Sequence, residues 1–375
     1  MTVIHNNVFL SRPHHGGNLS WAAAWANCSV QDILDFSASI NPWGPPASVL
    51  DEIRNHLAEI RAYPDPNAMQ LRQSLGQFHG LSADWILAGN GAAELLTWAG
   101  RSFSALTQTH LVTPCFGDYR RALQSFEVQC CTHPMDLAIA EQQQTIHASS
   151  PSMVASLLAV SSNSVGLLLN NPHNPTGQLF SKLDLLPLLE RFKLVVVDEA
   201  FMDFVPDADA YSLVSEIADH PNLVILRSLT KFYSLPGLRL GYAIGHPAVL
   251  KQWQAWRDPW SVNALAIAAG VAAVQDLAFQ AQTHAWLAAA KPPLFNGLAQ
   301  LKALYPIPGA ANFVLVRCDV SATQLQEQVL KRHRILIRDC LSFPELGDRY
   351  FRVAIRTEAE NERLLTALAE ELHGL

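Results

Sequence analysis

The sequence predicts an α/β fold in which a large, mostly parallel sheet is wrapped by helices and followed by a smaller α+β domain. Three observations predict it. Short β-branched or Leu-rich runs alternate with amphipathic stretches as far as about Pro247. Beyond that point longer helical stretches surround a second group of strands. The chain has 375 residues, of which 49% are hydrophobic and 16% charged, enough length and apolar content for a sizeable core.

The elements follow in order. Strands are expected at Trp85 to Ala88, His110 to Thr113, Val165 to Leu169, Leu194 to Val197, Leu223 to Leu226 and Leu240 to Ile244. Helices are expected between them at Ala92 to Phe103, Asp118 to Ser125 and Lys182 to Phe192, where apolar residues recur at three and four. After Pro247 come helices at Ala248 to Trp256, Val262 to Leu304 (interrupted by Pro292-Pro293) and Ala322 to Arg332. Strands Asn312 to Arg317, Ile335 to Arg338 and Tyr350 to Ile355 lie among them. The expected division is an N-terminal arm over 1–45, a large domain over 46–247 and a smaller C-terminal part over 248–375.

Composition excludes several function classes. A net charge of −7, a pI near 6.0 and the lack of a dense Lys/Arg run argue against nucleic acid and anionic membrane, and favour a small-molecule partner. Met1 to Arg12 lacks the pattern of an export signal. The most apolar window, Ala264 to Val274, is too short for a membrane span, which needs about 20 apolar residues. Six cysteines are scattered, Cys130 and Cys131 are adjacent, and the histidines and cysteines lack ligand spacing. A reduced cytoplasmic setting and no metal centre are expected.

Four segments carry chemistry. Leu194 to Val197 runs into Asp198-Glu199-Ala200-Phe201, at a strand's carboxyl end, where ligands sit in open α/β sheets. A carboxylate there needs a cationic or hydrogen-bond-donating partner such as a protonated pyridine nitrogen. A helix N-cap explains Asp198 equally well on this segment alone. Leu223 to Leu226 leads into Arg227-Ser228-Leu229-Thr230-Lys231, with Arg239 eight residues further on. Two hydroxyls, an amine and a guanidinium suit a phosphate and a carbonyl; the plainer reading of Lys231 is a solvated loop lysine. Asn170-Asn171-Pro172-His173-Asn174-Pro175-Thr176-Gly177 presents the amide of Asn174 from a proline-set turn, although such residues also make ordinary turns. In Ala88-Gly89-Asn90-Gly91-Ala92-Ala93-Glu94, small residues including Gly91 open a helix whose free N–H groups suit an anion. The glycine spacing is not that of a nucleotide loop.

Together these segments resemble the fold-type I pyridoxal-phosphate (PLP) enzymes, in particular the aspartate aminotransferase superfamily and its histidinol-phosphate aminotransferase branch, over nearly the whole chain. The resemblance implies a seven-stranded sheet and PLP held as a Schiff base on Lys231. Asp198 would pair with the pyridinium nitrogen and Asn174 would bond the phenolic oxygen. Gly91, Ala92, Ala93, Ser228, Thr230 and Arg239 would hold the phosphate, and Phe116, in Thr113-Pro114-Cys115-Phe116, would stack on the ring. Tyr63, in Ala62-Tyr63-Pro64-Asp65, is similar to a tyrosine that reaches the neighbouring subunit's cofactor, which implies a homodimer with shared active sites.

At the N-terminus the resemblance narrows. His14-His15-Gly16-Gly17-Asn18 and Leu34-Asp35-Phe36-Ser37-Ala38-Ser39-Ile40-Asn41-Pro42 look like the opening of the threonine-phosphate decarboxylases of cobalamin synthesis. Asp198 to Phe204, Pro259-Trp260-Ser261-Val262-Asn263-Ala264 and Arg352-Val353-Ala354-Ile355-Arg356 are similar to that family too. Phe201 stands where related aminotransferases commonly carry a tyrosine. A phosphorylated amino acid brings a phosphate and a carboxylate, so cations are needed. Arg338 and Arg352 supply them at the ends of C-terminal strands. By resemblance His15, Gly16, Ser39 and Asn174 also face the substrate, Ser39 in place of an asparagine. Arg317, Arg334 and Arg356 are expected to pair structurally and His14 to be a surface residue. The reaction implied is decarboxylation of L-threonine O-3-phosphate. A transaminase of histidinol-phosphate type is the runner-up, and a catalytically idle cofactor-binding regulator is a third reading.

Overall fold

The computed structural model describes residues 12–147, 151–160 and 164–373. All but the last residue of the Met1 to Arg12 stretch lies outside the described residues. The strands in chain order are β1 (Leu34–Asp35), β2 (Ile86–Asn90), β3 (Gln108–Thr113), β4 (Cys130–Pro134), β5 (Val165–Asn170), β6 (Leu194–Asp198), β7 (Leu223–Ser228), β8 (Leu240–Gly245), β9 (Leu304–Ile307), β10 (Phe313–Cys318), β11 (Ile335–Leu336) and β12 (Tyr350–Ala354). The main sheet has seven strands in the order β2-β8-β7-β6-β5-β3-β4. Its pairings are parallel except those of β8, which runs against both β2 and β7.

Alternation along the central strands feeds two cores, one on each face of the sheet. In β6, Val195 and Val197 join the core containing Leu167, Ile225 and Phe204, while Val196 joins Leu168, Val224, Leu226 and Trp253 on the other side. Burial on both faces explains why these strands read as unbroken apolar runs. A second, antiparallel sheet runs β12-β10-β9. The N-terminal segment reaches it where the Ala354 N–H donates to Phe36 O at 2.8 Å, and just before that its β1 pairs in parallel with β11 as a separate two-stranded sheet.

The structure corrects the sequence reading in several places. The helical run from Val262 does not break at Pro292-Pro293. It divides at Asp276 into Ala264–Gln275 and Leu277–Gln300, bent by 69°. Asp276 caps the second helix by accepting from the Phe279 N–H at 2.9 Å and is fixed by the Ser48 hydroxyl at 2.6 Å. The prolines are tolerated because one buried stripe, Phe279, Thr283, Trp286, Leu287, Ala290, Leu294 and Leu298, continues through them. That packing offsets the ~3 kcal/mol an interior proline costs. The run also ends earlier, since Leu304 opens β9. Arg338 lies beyond β11, in an isolated antiparallel bridge to Arg352. Several elements were not foreseen, among them the helices Ala47–Asn55 and Met69–His79, edge strand β4, and the terminal helix Glu358–Leu372, which opens with a Thr357/Glu360 capping box. Among the described residues no single helix is long and apolar enough to cross a membrane.

Candidate active site

The carboxyl ends of β5, β6 and β7 and the start of the helix Ala92–Phe103 converge on a cavity of about 420 Å³. Its lining includes Lys231, Asp198, Asn174, Ser228, Thr230, Arg239, Ala92, Ala93 and Phe116 from the main-sheet side. His15, Gly16 and Ser39 come from the N-terminal segment, and Arg338 and Arg352 from the C-terminal part. The fold therefore gathers nearly every residue singled out in the sequence around one space.

Asp198 ends β6, where the strand delivers it to the cavity. Its Oδ1 accepts from the Ala200 N–H at 3.0 Å and its Oδ2 from the Tyr119 hydroxyl at 2.8 Å. The bond to Ala200 closes a local turn and not the helix cap weighed for Asp198, since the next helical turn, Met202–Phe204, is preceded by Phe201 as its N-cap; a buried phenol holds the other oxygen. Burial pushes the carboxyl above its ordinary range, while Tyr119, the Ala200 N–H and Lys231 pull it back. Burial raises the Tyr119 phenol well above its ordinary value and Asp198 raises it further, so it stays a neutral donor.

Lys231 sits in the short helix Leu229–Phe232 that β7 runs into. Burial is the main cause, with Arg352 and Arg239 next, that pushes its amine down to about 8. The turn is clamped from the N-terminal segment: the Asn41 N–H donates to Lys231 O at 3.1 Å, and Asn41 Nδ2 donates to Phe232 O at 2.9 Å and to Thr283 Oγ1 at 2.8 Å. Gly91, with φ of 76°, precedes the helix Ala92–Phe103. A Cβ there would lie 2.6 Å from Arg239 Nη2, so the glycine is what lets that guanidinium reach the helix start.

The backbones of Arg338 and Arg352 exchange hydrogen bonds of 3.0 and 2.8 Å. Both side chains are buried, and neither makes an ion pair among the described residues. Arg338 donates to the Ser342 hydroxyl at 2.6 Å and to His14 O. Arg352 donates to Asn174 Oδ1 and lies 4.5 Å over the Phe313 ring, which leaves Asn174 Nδ2 as that amide's donor. Burial pushes Arg352 down to about 10, still protonated at neutral pH. The Ser39 hydroxyl is buried without a hydrogen-bond partner among the described residues. His15 packs its ring 5.7 Å from Phe116, and desolvation lowers its pKa.

Tyr63 departs from this gathering. It is 79% exposed, stacks on Trp260 at 4.5 Å and lines a separate depression, so within one chain it does not reach the cavity. Arg317, Arg334 and Arg356 pair with Glu141, Asp32 and Glu360, and His14 is exposed, as expected. Sequence reasoning missed Tyr119, Asn41 and the buried Glu199. Arg227 Nη2 lies 2.9 Å from Glu199 Oε2 and its Nη1 lies 2.7 Å from Asp203 Oδ1, a network that braces the carboxyl end of β7.

Comparison with known proteins places these residues in context. Residues 31–368 match the family model described as aminotransferase class I and II. The chain is 39% identical to the threonine-phosphate decarboxylase of Salmonella typhimurium over 366 residues, covering 96% of this chain and 97% of that protein. The crystal structure of a histidinol-phosphate aminotransferase from Clostridium acetobutylicum superposes with a TM-score of 0.82 at 28% identity, covering 92% and 100% of the two chains. That of the L-threonine-O-3-phosphate decarboxylase from Porphyromonas gingivalis does so with 0.78 at 25% identity, covering 91% and 100%.

Proposed function

We propose that this chain, which belongs to the class I and II aminotransferase family, decarboxylates L-threonine O-3-phosphate to (R)-1-aminopropan-2-yl phosphate and carbon dioxide, a reaction of cobalamin biosynthesis. Its cofactor is PLP, and the residues present fit that group. Asp198 is a carboxylate with two neutral donors and no ion-pair partner among the described residues, which suits a protonated ring nitrogen. Lys231 would hold the cofactor through its amine. Gly91, Ala92, Ala93, Ser228, Thr230 and Arg239 would take its phosphate, Asn174 Nδ2 its phenolic oxygen, and Phe116 the face of its ring. When bound, PLP supplies an electron sink for the bond broken at Cα.

The observation that carries the reading is the pair of buried arginines, Arg338 and Arg352, side by side on the same cavity as Lys231 without an ion-pair partner among the described residues. One substrate bearing both a phosphate and a carboxylate matches two guanidinium forks. His15, the Gly16 backbone and the unpartnered Ser39 hydroxyl line the same end and complete the substrate contacts. Fixing both anionic groups sets which bond at Cα is oriented for cleavage. Lys231, with its amine near neutrality, then returns the proton to Cα.

We further propose a cytoplasmic homodimer with shared sites. What supports this reading is that Tyr63 is exposed and stacked on Trp260 away from its own cavity, so that a partner chain could take it up. The function is tested by giving the purified protein and PLP phosphothreonine alone and identifying the amine by mass. Aminopropan-2-yl phosphate should form at a rate that added 2-oxoglutarate does not change. Glutamate formed from histidinol phosphate and 2-oxoglutarate, with no amine from phosphothreonine, would favour a transaminase instead.

A further inference from the structure

The outer edge of the main sheet carries a second cluster of chemistry-bearing side chains. In the parallel pairing of β3 with β4, His110 lies opposite Cys131 and Val112 opposite His133. Because side chains alternate along a strand, His110, Cys131 and His133 share one face, while Cys130 takes the other. One ligand atom from each of the three lies within 4.8 Å of the others. His110 Nδ1 and His133 Nε2 face each other at 2.7 Å, and His133 Nδ1 meets the Ser156 hydroxyl at 2.7 Å. Both imidazoles are buried and Cys131 is half-buried, so the group opens to solvent on the thiol side.

We propose that His110, Cys131 and His133 form a binding site for a zinc-class divalent cation that clips edge strand β4 to β3, with a fourth position left to water. Two imidazoles and one thiolate are the donor set that suits zinc, and three protein ligands with an open position satisfy its tetrahedral preference. The histidine pair needs little movement. Zinc–nitrogen bonds of about 2.0–2.1 Å set two ligating nitrogens roughly 3.3 Å apart, a slight opening of the contact present here. Ser156 supplies the partner on the far nitrogen that orients a ligating histidine. Spacing along the chain conceals the group because one ligand comes from β3 and two from β4. The expectation of no metal centre rested on that spacing.

The test uses untagged holoenzyme, stripped of metal with a chelator and titrated with Co²⁺. The expected result is a visible d–d spectrum with a thiolate-to-cobalt charge-transfer band, saturating at one ion per chain and abolished by competing Zn²⁺. Cys131→Ser should remove the charge-transfer band, and Ser156→Ala should weaken binding by about 10–100-fold. Cys130→Ser should change neither. Failure of the wild-type holoenzyme to bind stoichiometrically would overturn the proposal, as would a charge-transfer band that survives Cys131→Ser. Decarboxylation should be the same in the metal-free and metal-loaded proteins.

Discussion

The Tyr119 hydroxyl donates to Asp198 Oδ2 at 2.8 Å from a fully buried phenol. That contact opposes the burial that would otherwise favour the protonated acid, and it points the carboxylate into the cavity. Tyr119→Phe should therefore raise the Asp198 pKa further and move the acid limb of the kcat profile to higher pH. Hydrogen bonds to charged groups contribute ~1.5–3 kcal/mol, so PLP affinity or kcat should fall roughly 10–100-fold with the substrate KM little changed. A KM effect without a shifted acid limb would contradict this assignment.

Lys231 should be reactive near neutrality. With its amine pushed down to about 8, the uncharged fraction grows as pH rises through that value and is nearly complete above it. The rate at which apoprotein takes up PLP should rise through about pH 8, where it is half-maximal, and level off about one pH unit above it. A rate that keeps climbing into the ordinary lysine range, near 10.4, would show that the pocket does not perturb the amine. Lys231→Ala should abolish turnover.

Arg338 and Arg352 should divide the two anionic groups of the substrate between them. Removing one partner of a buried charge pair costs about 2–5 kcal/mol, so Arg338→Met and Arg352→Met should each lower kcat/KM for phosphothreonine by ~100-fold or more. Unphosphorylated threonine, which keeps the carboxylate and lacks the phosphate, separates their roles. The arginine that holds the phosphate should matter little for threonine, and the one that holds the carboxylate should matter for both compounds. Equal losses on both substrates for both variants would count against the division.

The Arg227 network should be structural. Glu199 is fully buried, and besides Arg227 it accepts from the Ser212 hydroxyl at 2.7 Å and the Leu213 N–H at 3.0 Å. Arg227→Met would strand that carboxylate and should destabilise the protein by about 3–5 kcal/mol, read as a lowered unfolding midpoint in urea. Unaltered stability would show that Glu199 is neutral in the native state.

The site was legible because its chemistry lies in contiguous segments where apolar strands stop: Asp198 after Val197, Ser228 to Lys231 after Arg227, and Asn174 a turn beyond Asn170. Tyr119 was not. It lies in a helix at a buried, core-facing position, and a tyrosine there looks like packing until the fold sets it beside β6. Asn41 was quoted for its resemblance, but its clamp on the Lys231 turn joins residues 191 positions apart in the chain. Edge strand β4 alternates between buried and exposed positions and ends in a proline, so it offers no apolar run to find. At the long C-terminal helix, the proline pair was a louder local signal than the cap at Asp276. Packing outweighed it, which periodicity across the prolines could have indicated.

The central claim is that the bond broken at Cα is the one to the carboxylate. Phosphothreonine turned over in D2O without any keto acid tests it directly, by mass and proton spectra of the amine. The expected product keeps its original Cα hydrogen, gains one deuterium delivered by Lys231, and appears with an equivalent of carbon dioxide. Exchange of the Cα hydrogen with no carbon dioxide, or a keto acid in place of the amine, would contradict the account.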